Sequence, residues 1–445
     1  MQEDEPKGGG AKQRQGLTSD TLVLEEEWEL MKAVRYTSLS VVFVALLGFG
    51  FWQFLPSAAR ADRGNDNGVP RYVVDPFWPK QLPNNWLIGQ VGGLATDSHD
   101  HVWIIQRPRT LTDDEAGAVP FGTRLTPRSE CCVPAPSVME FDGKGNLLRA
   151  WGGPADKDTN NQYNKTCKAP ACQWPNTEHG IVVDKHDNGW VAGNGGAAGG
   201  QGEDDQILKF AADGTFLFQI GKAGAATGNG DLINVKRPAD FDVDVDAHEL
   251  YVADGYGNKR IAVFDTEAPG PVKRYWGAYG KPPCESPGNP LPCTGGPYDP
   301  KAPPDKDFRN PVHCVRLVAD LVYVCDRVND RIQVFTKAGK FVQEFFEKTE
   351  TLGNGSMWDI APSLDRNRTF LHVTDGENNH VYQMRRLTGE IAGQFGHNGR
   401  NAGQFHWIHV LDIDSKGTIY TGEVDTGKRI QRFVPAGDYA RDDRD

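Results

Sequence analysis

From about residue 70 onward the chain alternates apolar and polar residues over short stretches broken by Asp, Asn and Gly. Runs of this kind, roughly 4–8 residues long, predict strands joined by tight turns. The segment Asn310–Phe335, NPVHCVRLVADLVYVCDRVNDRIQVF, shows the unit in full: an apolar strand with a histidine near its start, then VYVCD, then RIQVF. The first two strands recur as VGGLATDSHDHVWIIQR, EHGIVVDKHDNGWVAGN, PADFDVDVDAHELYVADGY, SMWDIAPSLDRNRTFLHVTDGEN and IHVLDIDSKGTIYTGEV. Third strands follow most units (QILKF, RIAVF, HVYQM, RIQRF), and fourth strands come after D-G, A-G or T-G turns (GTFLFQIG, GKFVQEFF, GEIAGQFG). One such unit cannot bury its own faces, so a set of six predicts an all-β, six-bladed β-propeller. The last unit stops after three strands. Arg71-Tyr72-Val73-Val74 is a spare strand that could complete it and close the ring.

The chain before residue 70 follows a different pattern. Residues 1–35 are polar and charged, with an amphipathic stretch over 18–32, and are expected to be a partly disordered cytoplasmic tail. Residues 36–55, YTSLSVVFVALLGFGFWQFL, carry no charge, and ~20 such residues suffice for a membrane-spanning helix. Lys32 and Arg35 precede this run, which favours a cytoplasmic N-terminus. A transmembrane anchor and a signal segment cleaved after Ala61 are both compatible with it, and either exports the remainder. Residues 56–70 then read as a linker, 71–436 as the propeller and 437–445 as a disordered tail. The expected location is the periplasm or extracellular space, membrane-anchored or, after cleavage, secreted.

Charge and cysteine content narrow the class. A formal net charge of −12 argues against a nucleic-acid partner. The eight cysteines suit disulfides in an oxidising compartment. Cys167 with Cys172 and Cys284 with Cys293 are close in sequence, and a hairpin turning at Asp320 sets Cys314 opposite Cys325. Cys131 and Cys132 are left over. Six of the eight lie in three insertions, Thr110–Pro136, Asp156–Asn176 and Lys281–Asp307, long enough to form ordered surface loops or a lid over one face.

The slot at the start of each inner strand holds, in order, Gly92, His179, Ala239, His313, Trp358 and His409. In a six-bladed ring the histidines occupy alternate blades, related by an approximate threefold axis along the channel. Three convergent imidazoles leave one tetrahedral position open, the arrangement of a catalytic zinc site. Near the ends of the second strands come Arg107, Tyr256 and Arg327. Two guanidiniums and a phenol beside a metal suit an anionic substrate, since Arg binds carboxylate through a bidentate fork. The alternative is structural pairing of these arginines with the blade-end acids Asp254, Asp326, Asp375 and Glu423. Asp254, Asn258 and Arg260 are expected to brace a turn, His406 to lie at the rim, and His99 and His101 to be solvated.

At these residues the chain resembles the NHL group of six-bladed propellers and, more narrowly, the catalytic core of peptidyl-α-hydroxyglycine α-amidating lyase. The likeness is sharpest in LIGQVGGLATDS followed by Arg107, in EHGIVVD, in VADGYGNKRI, in the Asn310–Phe335 segment and in IHVLDIDSKGTIYTGEV. The resemblance implies a zinc-dependent lyase with His179, His313 and His409 as ligands and Tyr256, Arg107 and Arg327 as the active-site trio. Its substrate would be a small molecule or peptide bearing a carboxylate on a carbinolamide-like carbon. The resemblance also implies a structural calcium, for which the backbone carbonyls of Leu94 and Ile181 are the candidate ligands. The family's acidic residue after the third histidine is Val410 here, and Cys314 stands where the family has a small hydroxyl residue. The competing reading is a non-catalytic propeller that binds a protein or glycan partner in the cell envelope.

Overall fold

The computed structural model describes residues 68–153, 167–168, 170–198 and 201–437. The apolar run 36–55, the amphipathic stretch 18–32 and most of the C-terminal tail lie outside these residues. Among the described residues no helix is long and apolar enough to cross a membrane. They form six four-stranded antiparallel sheets and one short two-stranded pairing, Trp86–Leu87 with Val133–Pro134.

The blades follow chain order. The first comprises Gln90–Thr96, Val102–Arg107, Val138–Phe141 and Leu147–Trp151. The second comprises Glu178–Val183, Gly189–Gly193, Gln206–Phe210 and Phe216–Gly221, and the third Asp240–Asp244, Glu249–Asp254, Arg260–Asp265 and Arg274–Trp276. Val312–Val318, Leu321–Asp326, Arg331–Thr336 and Phe341–Phe346 make the fourth; Asp359–Pro362, Phe370–Asp375, His380–Arg385 and Ile391–Phe395 make the fifth. The sixth has Ile408–Ile413, Ile419–Glu423 and Ile430–Pro435 from the end of the chain. Its outer strand is Tyr72–Asp75, paired from Tyr72 opposite Pro435 to Asp75 opposite Arg432. The ring is therefore closed by a strand from the opposite end of the chain, and the inner strand of the sixth blade packs against that of the first.

The core is divided among the blade interfaces. Each strand presents apolar residues to both faces of its sheet, so each pair of adjacent blades encloses its own buried cluster. Trp103, Ile105, Val191 and Phe210 fill the space between the first two blades. Leu94, Ile104, Val410 and Tyr420 fill that between the sixth and the first. Tyr72 and Val74 join the cluster of the fifth and sixth blades, which anchors the closing strand.

All eight cysteines are paired. Cys167–Cys172, Cys284–Cys293 and Cys314–Cys325 are bridged as expected; the last is a directly opposed pair in the hairpin, with Cα atoms 4.8 Å apart. Cys131 and Cys132, left over in the sequence reading, form a bridge with each other. Four disulfides fit an oxidising, extracytoplasmic compartment.

Candidate metal centre and active site

His179, His313 and His409 converge. Their ring centroids lie 5.3, 4.8 and 4.9 Å apart, and one ring nitrogen from each falls within 4.8 Å of the others. Each residue is 2% exposed, so the three reach into the channel from its wall. The local reason is a set of bulges. The pairing of first and second strands slips at Glu178/Ile181, Val312/Cys314 and Ile408/Val410, each time across the histidine. A bulge turns one side chain out of the alternation that would otherwise bury it between blades. A fourth slip, at Val91/Gly93, spans Gly92. A Cβ there would press on the backbone of Glu178 and His179, so glycine lets the first blade approach the ligand strand.

Two of the imidazoles have a fixed tautomer. His179 Nδ1 donates to the Ala239 carbonyl (2.7 Å), and His313 Nδ1 donates to the Trp358 carbonyl (2.6 Å). A carbonyl can only accept, so the proton sits on Nδ1 and the Nε2 lone pair faces the axis. His179 Nε2 accepts from Tyr256 Oη at 3.0 Å. His313 Nε2 and His409 Nδ1 are buried without a hydrogen-bond partner. Burial, with the positive charge of Arg107 and Arg327 and, for His313 and His409, the neighbouring imidazoles, holds all three pKa values well below the usual histidine range. Neutral imidazoles converging on one point, with His313 Nε2 unpartnered and His179 Nε2 held only by the Tyr256 hydroxyl, are what a divalent metal requires, and the donor set suits zinc among other borderline metals.

The trio from the second strands surrounds the same point. Arg107 ends its strand and Arg327 follows its own directly. Tyr256 stands two residues past its strand, after Gly255, where a Cβ would collide with the Val312 backbone. Tyr256 Oη also accepts from Arg327 Nη1 at 3.4 Å. The Arg327 guanidinium lies 4.3 Å over the Trp358 ring and donates to Asn354 Oδ1 (3.4 Å), which puts a cation–π contact behind it. Arg107 donates through Nε to the Glu178 carbonyl (2.6 Å) and through Nη1 to Gln90 Oε1 (2.9 Å). Desolvation lowers the pKa of both arginines, and the Tyr256 hydroxyl partly offsets this; guanidinium stays charged regardless.

The blade-end acids pair elsewhere. Asp254 takes Arg260 (2.8 Å), Asp326 takes Arg331 (2.7 Å) and Glu423 takes Arg429 (2.6 Å). These arginines, at the start of the third strand or just before it, brace the turns, as expected for Asp254, Asn258 and Arg260, and leave Arg107 and Arg327 on neutral partners. His101 departs from expectation: it is half-buried, with Nδ1 hydrogen-bonded to Glu140 (2.9 Å), because the turn folds it back onto its own blade.

Sequence reasoning missed what lies beneath the triad. Leu94 and Ile181, the candidate calcium ligands, line a cavity of about 10 Å³ together with Asp240, Asp359, Val410 and the Arg316 side chain. Arg316 Nη1 is ion-paired with Asp240, and Nη2 with Asp359 at 2.9 Å. The available signal was an aspartate directly after the slot residue in the third and fifth blades, with an arginine three residues past the slot histidine in the fourth.

No family model matches the chain. By sequence it is similar to a peptidyl-glycine alpha-amidating monooxygenase B of Xenopus laevis, 27% identical over 372 residues, 81% of this chain. The chain spans about a third (35%) of that relative's length. Among solved structures, a streptogramin B lyase overlaps 81% of this chain and 97% of its own with a TM-score of 0.43 and 11% identity. A catalytically inactive variant of virginiamycin B lyase from Staphylococcus aureus, solved with quinupristin, overlaps 82% of this chain and 89% of its own at 0.41 and 11%. The protein is a six-bladed β-propeller whose resemblance to the amidating enzymes, first legible in the histidine and tyrosine motifs, extends over most of its length.

Proposed function

We propose that this chain is an exported, zinc-dependent lyase that cleaves the C–N bond of a carboxylate-bearing carbinolamide. The observation that carries the reading is the convergence of three neutral, buried imidazoles on one point faced by a phenol and two arginines that pair with no blade-end acid. His179, His313 and His409 would hold the metal. When bound, it supplies Lewis-acid polarisation of the substrate hydroxyl.

The remaining chemistry falls to the chain's own groups. Arg107 and Arg327 hold the substrate carboxylate and fix the reacting carbon beside Tyr256. Tyr256 Oη accepts the hydroxyl proton and gives up its own in the same relay as the C–O bond gains double-bond character. The C–N bond breaks, and the proton goes to the leaving amide nitrogen. The products are an aldehyde acid and an amide; no water is consumed and no redox partner is needed. Trp358 and the enclosing blades shield the Arg327 guanidinium from solvent, which strengthens its hold on an anion. The sequence match to an amidating enzyme supports the substrate class. Membrane attachment through residues 36–55 belongs to the same proposal.

The test uses purified protein and an N-acylated α-hydroxyglycine. About one zinc per chain by elemental analysis and equal yields of amide and glyoxylate are expected. Stoichiometric zinc without turnover would reject the substrate class, and absence of any bound metal would reject the enzyme reading and favour a scaffold.

A further inference from the structure

The channel holds a second built feature just below the histidines. Arg316 lies three residues past His313 on the fourth blade and reaches to both neighbours, Asp240 of the third and Asp359 of the fifth. Its side chain is 15% exposed, and those of Asp240 and Asp359 are 12% and 3% exposed. Nη1 also donates to the carbonyl of Val315 at 2.9 Å. A planar guanidinium with donors spread over two directions can bridge two carboxylates at once, which a lysine ammonium on a single stem does less well.

The identity of the two carboxylates gives the arrangement its consequence. Asp240 directly follows Ala239, and Asp359 directly follows Trp358. Those are the residues whose carbonyls accept from His179 and His313. Asp359 also accepts from the Leu411 amide (3.1 Å), two residues beyond His409. The ion pairs therefore grip the backbone next to both carbonyls that set imidazole orientation, and touch the third ligand strand. The cavity between the triad and the guanidinium has room for no more than about one water. A divalent cation placed there would face a fixed positive charge, the side chain of Val410, and two carboxylates already paired.

We propose that Arg316 is the fixed internal cation of this channel, standing where a structural divalent ion would otherwise bridge the blades, and that through Asp240 and Asp359 it positions His179 and His313 for the metal. The inference rests on the triad being a metal centre but not on the lyase reaction. Arg316 is a positioning residue: it touches no metal ligand and no substrate.

Two measurements test it. In the first, the wild-type chain is melted in a chelator and again in excess calcium, after removal and controlled return of zinc. The expected result is no calcium-dependent shift in Tm; a rise in Tm with calcium would overturn the internal-cation role. In the second, zinc affinity is measured by chelator competition in Arg316→Met, Arg316→Lys and wild type. Outer-sphere partners of this kind are worth about 10–100-fold in metal affinity. A loss in that range is expected for Arg316→Met, with partial recovery in Arg316→Lys, and unchanged affinity in Arg316→Met would overturn the positioning role. Should Arg316→Met fail to fold, Asp359→Asn keeps the guanidinium and removes one arm; it too should weaken zinc, and wild-type affinity there overturns the proposal. Absence of zinc from the wild type would sink the metal reading, while the calcium experiment still decides what Arg316 does.

Discussion

Asp330 offers a quantitative check on the buried turn that carries Arg327. It closes the short 3-10 turn Arg327–Asn329, with φ 51° and ψ 37°, and so fixes the backbone that launches Arg327. Asp330 is 0% exposed; one carboxylate oxygen accepts from the Ser356 amide at 2.7 Å, and the other has no partner. Burial, with Asp375 and Asp326 nearby, raises its pKa to about 7 from an unfolded value of 3.8. A raised carboxylate pKa means that the folded state holds the proton more tightly than the unfolded state. The penalty is absent below about pH 4, grows as pH rises and is complete above about pH 7. At about 1.36 kcal/mol per unit, the shift of roughly three units sets a ceiling of about 4 kcal/mol; halving it for local relaxation leaves about 2 kcal/mol at pH 8 and under about 1 kcal/mol at pH 5.

Asp330→Asn removes the charge and keeps the shape. Asn tolerates the left-handed backbone well, and its oxygen can still accept from the Ser356 amide. The variant should melt higher than wild type by about 2–3 °C at pH 8 and by less than half of that at pH 5. Calorimetry or thermal fluorescence in matched buffers reads the difference. A variant less stable than wild type at pH 8, or a gain that does not depend on pH, would refute the assignment of a strained, ionised Asp330.

Other expectations follow from the same geometry. Tyr256→Phe should keep stoichiometric zinc and wild-type Tm while lowering kcat by about 10²–10⁴-fold, as read by metal analysis beside product formation; retained turnover would remove the phenol from the chemistry. Replacing His179, His313 or His409 by Ala should each abolish stoichiometric metal. The folded pKa values of these histidines lie below the unfolded value of 6.5, so the unfolded state binds protons first; metal-free protein should lose stability as pH falls through about 6.5, and bound metal should be released over the same range, in a titration followed by Tm and free zinc. Deleting residues 68–75 should destabilise the ring by about 3 kcal/mol, since Tyr72 and Val74 leave the interface of the fifth and sixth blades; an unchanged denaturation midpoint would show that closure does not depend on that strand.

The repeating two-residue alternation and the Asp- and Gly-rich turns were enough to set the blade number, and the three-strand final unit required a closing strand from elsewhere. The sequence also placed the histidines, because a repeat puts equivalent positions in equivalent places and alternate occupancy of one slot is visible by counting. The Cys314–Cys325 bridge followed from hairpin register alone. Each of these properties is local or periodic. What only the tertiary structure decided depends on neighbours distant in sequence. The bulges at Glu178/Ile181, Val312/Cys314 and Ile408/Val410 turn the imidazoles to the axis, and no residue preference announces a bulge. The choice of partners for Arg107 and Arg327 was open in the sequence, which offered blade-end acids at similar distances along the chain. The fold gave Asp254, Asp326 and Glu423 to Arg260, Arg331 and Arg429, at or just before the next strand of each blade, and Asp375 to Asn378 and Tyr382. Arg316 was unremarked because its meaning lies in Asp240 and Asp359, 76 and 43 residues away by numbering, brought to either side of it only when the third, fourth and fifth blades stack.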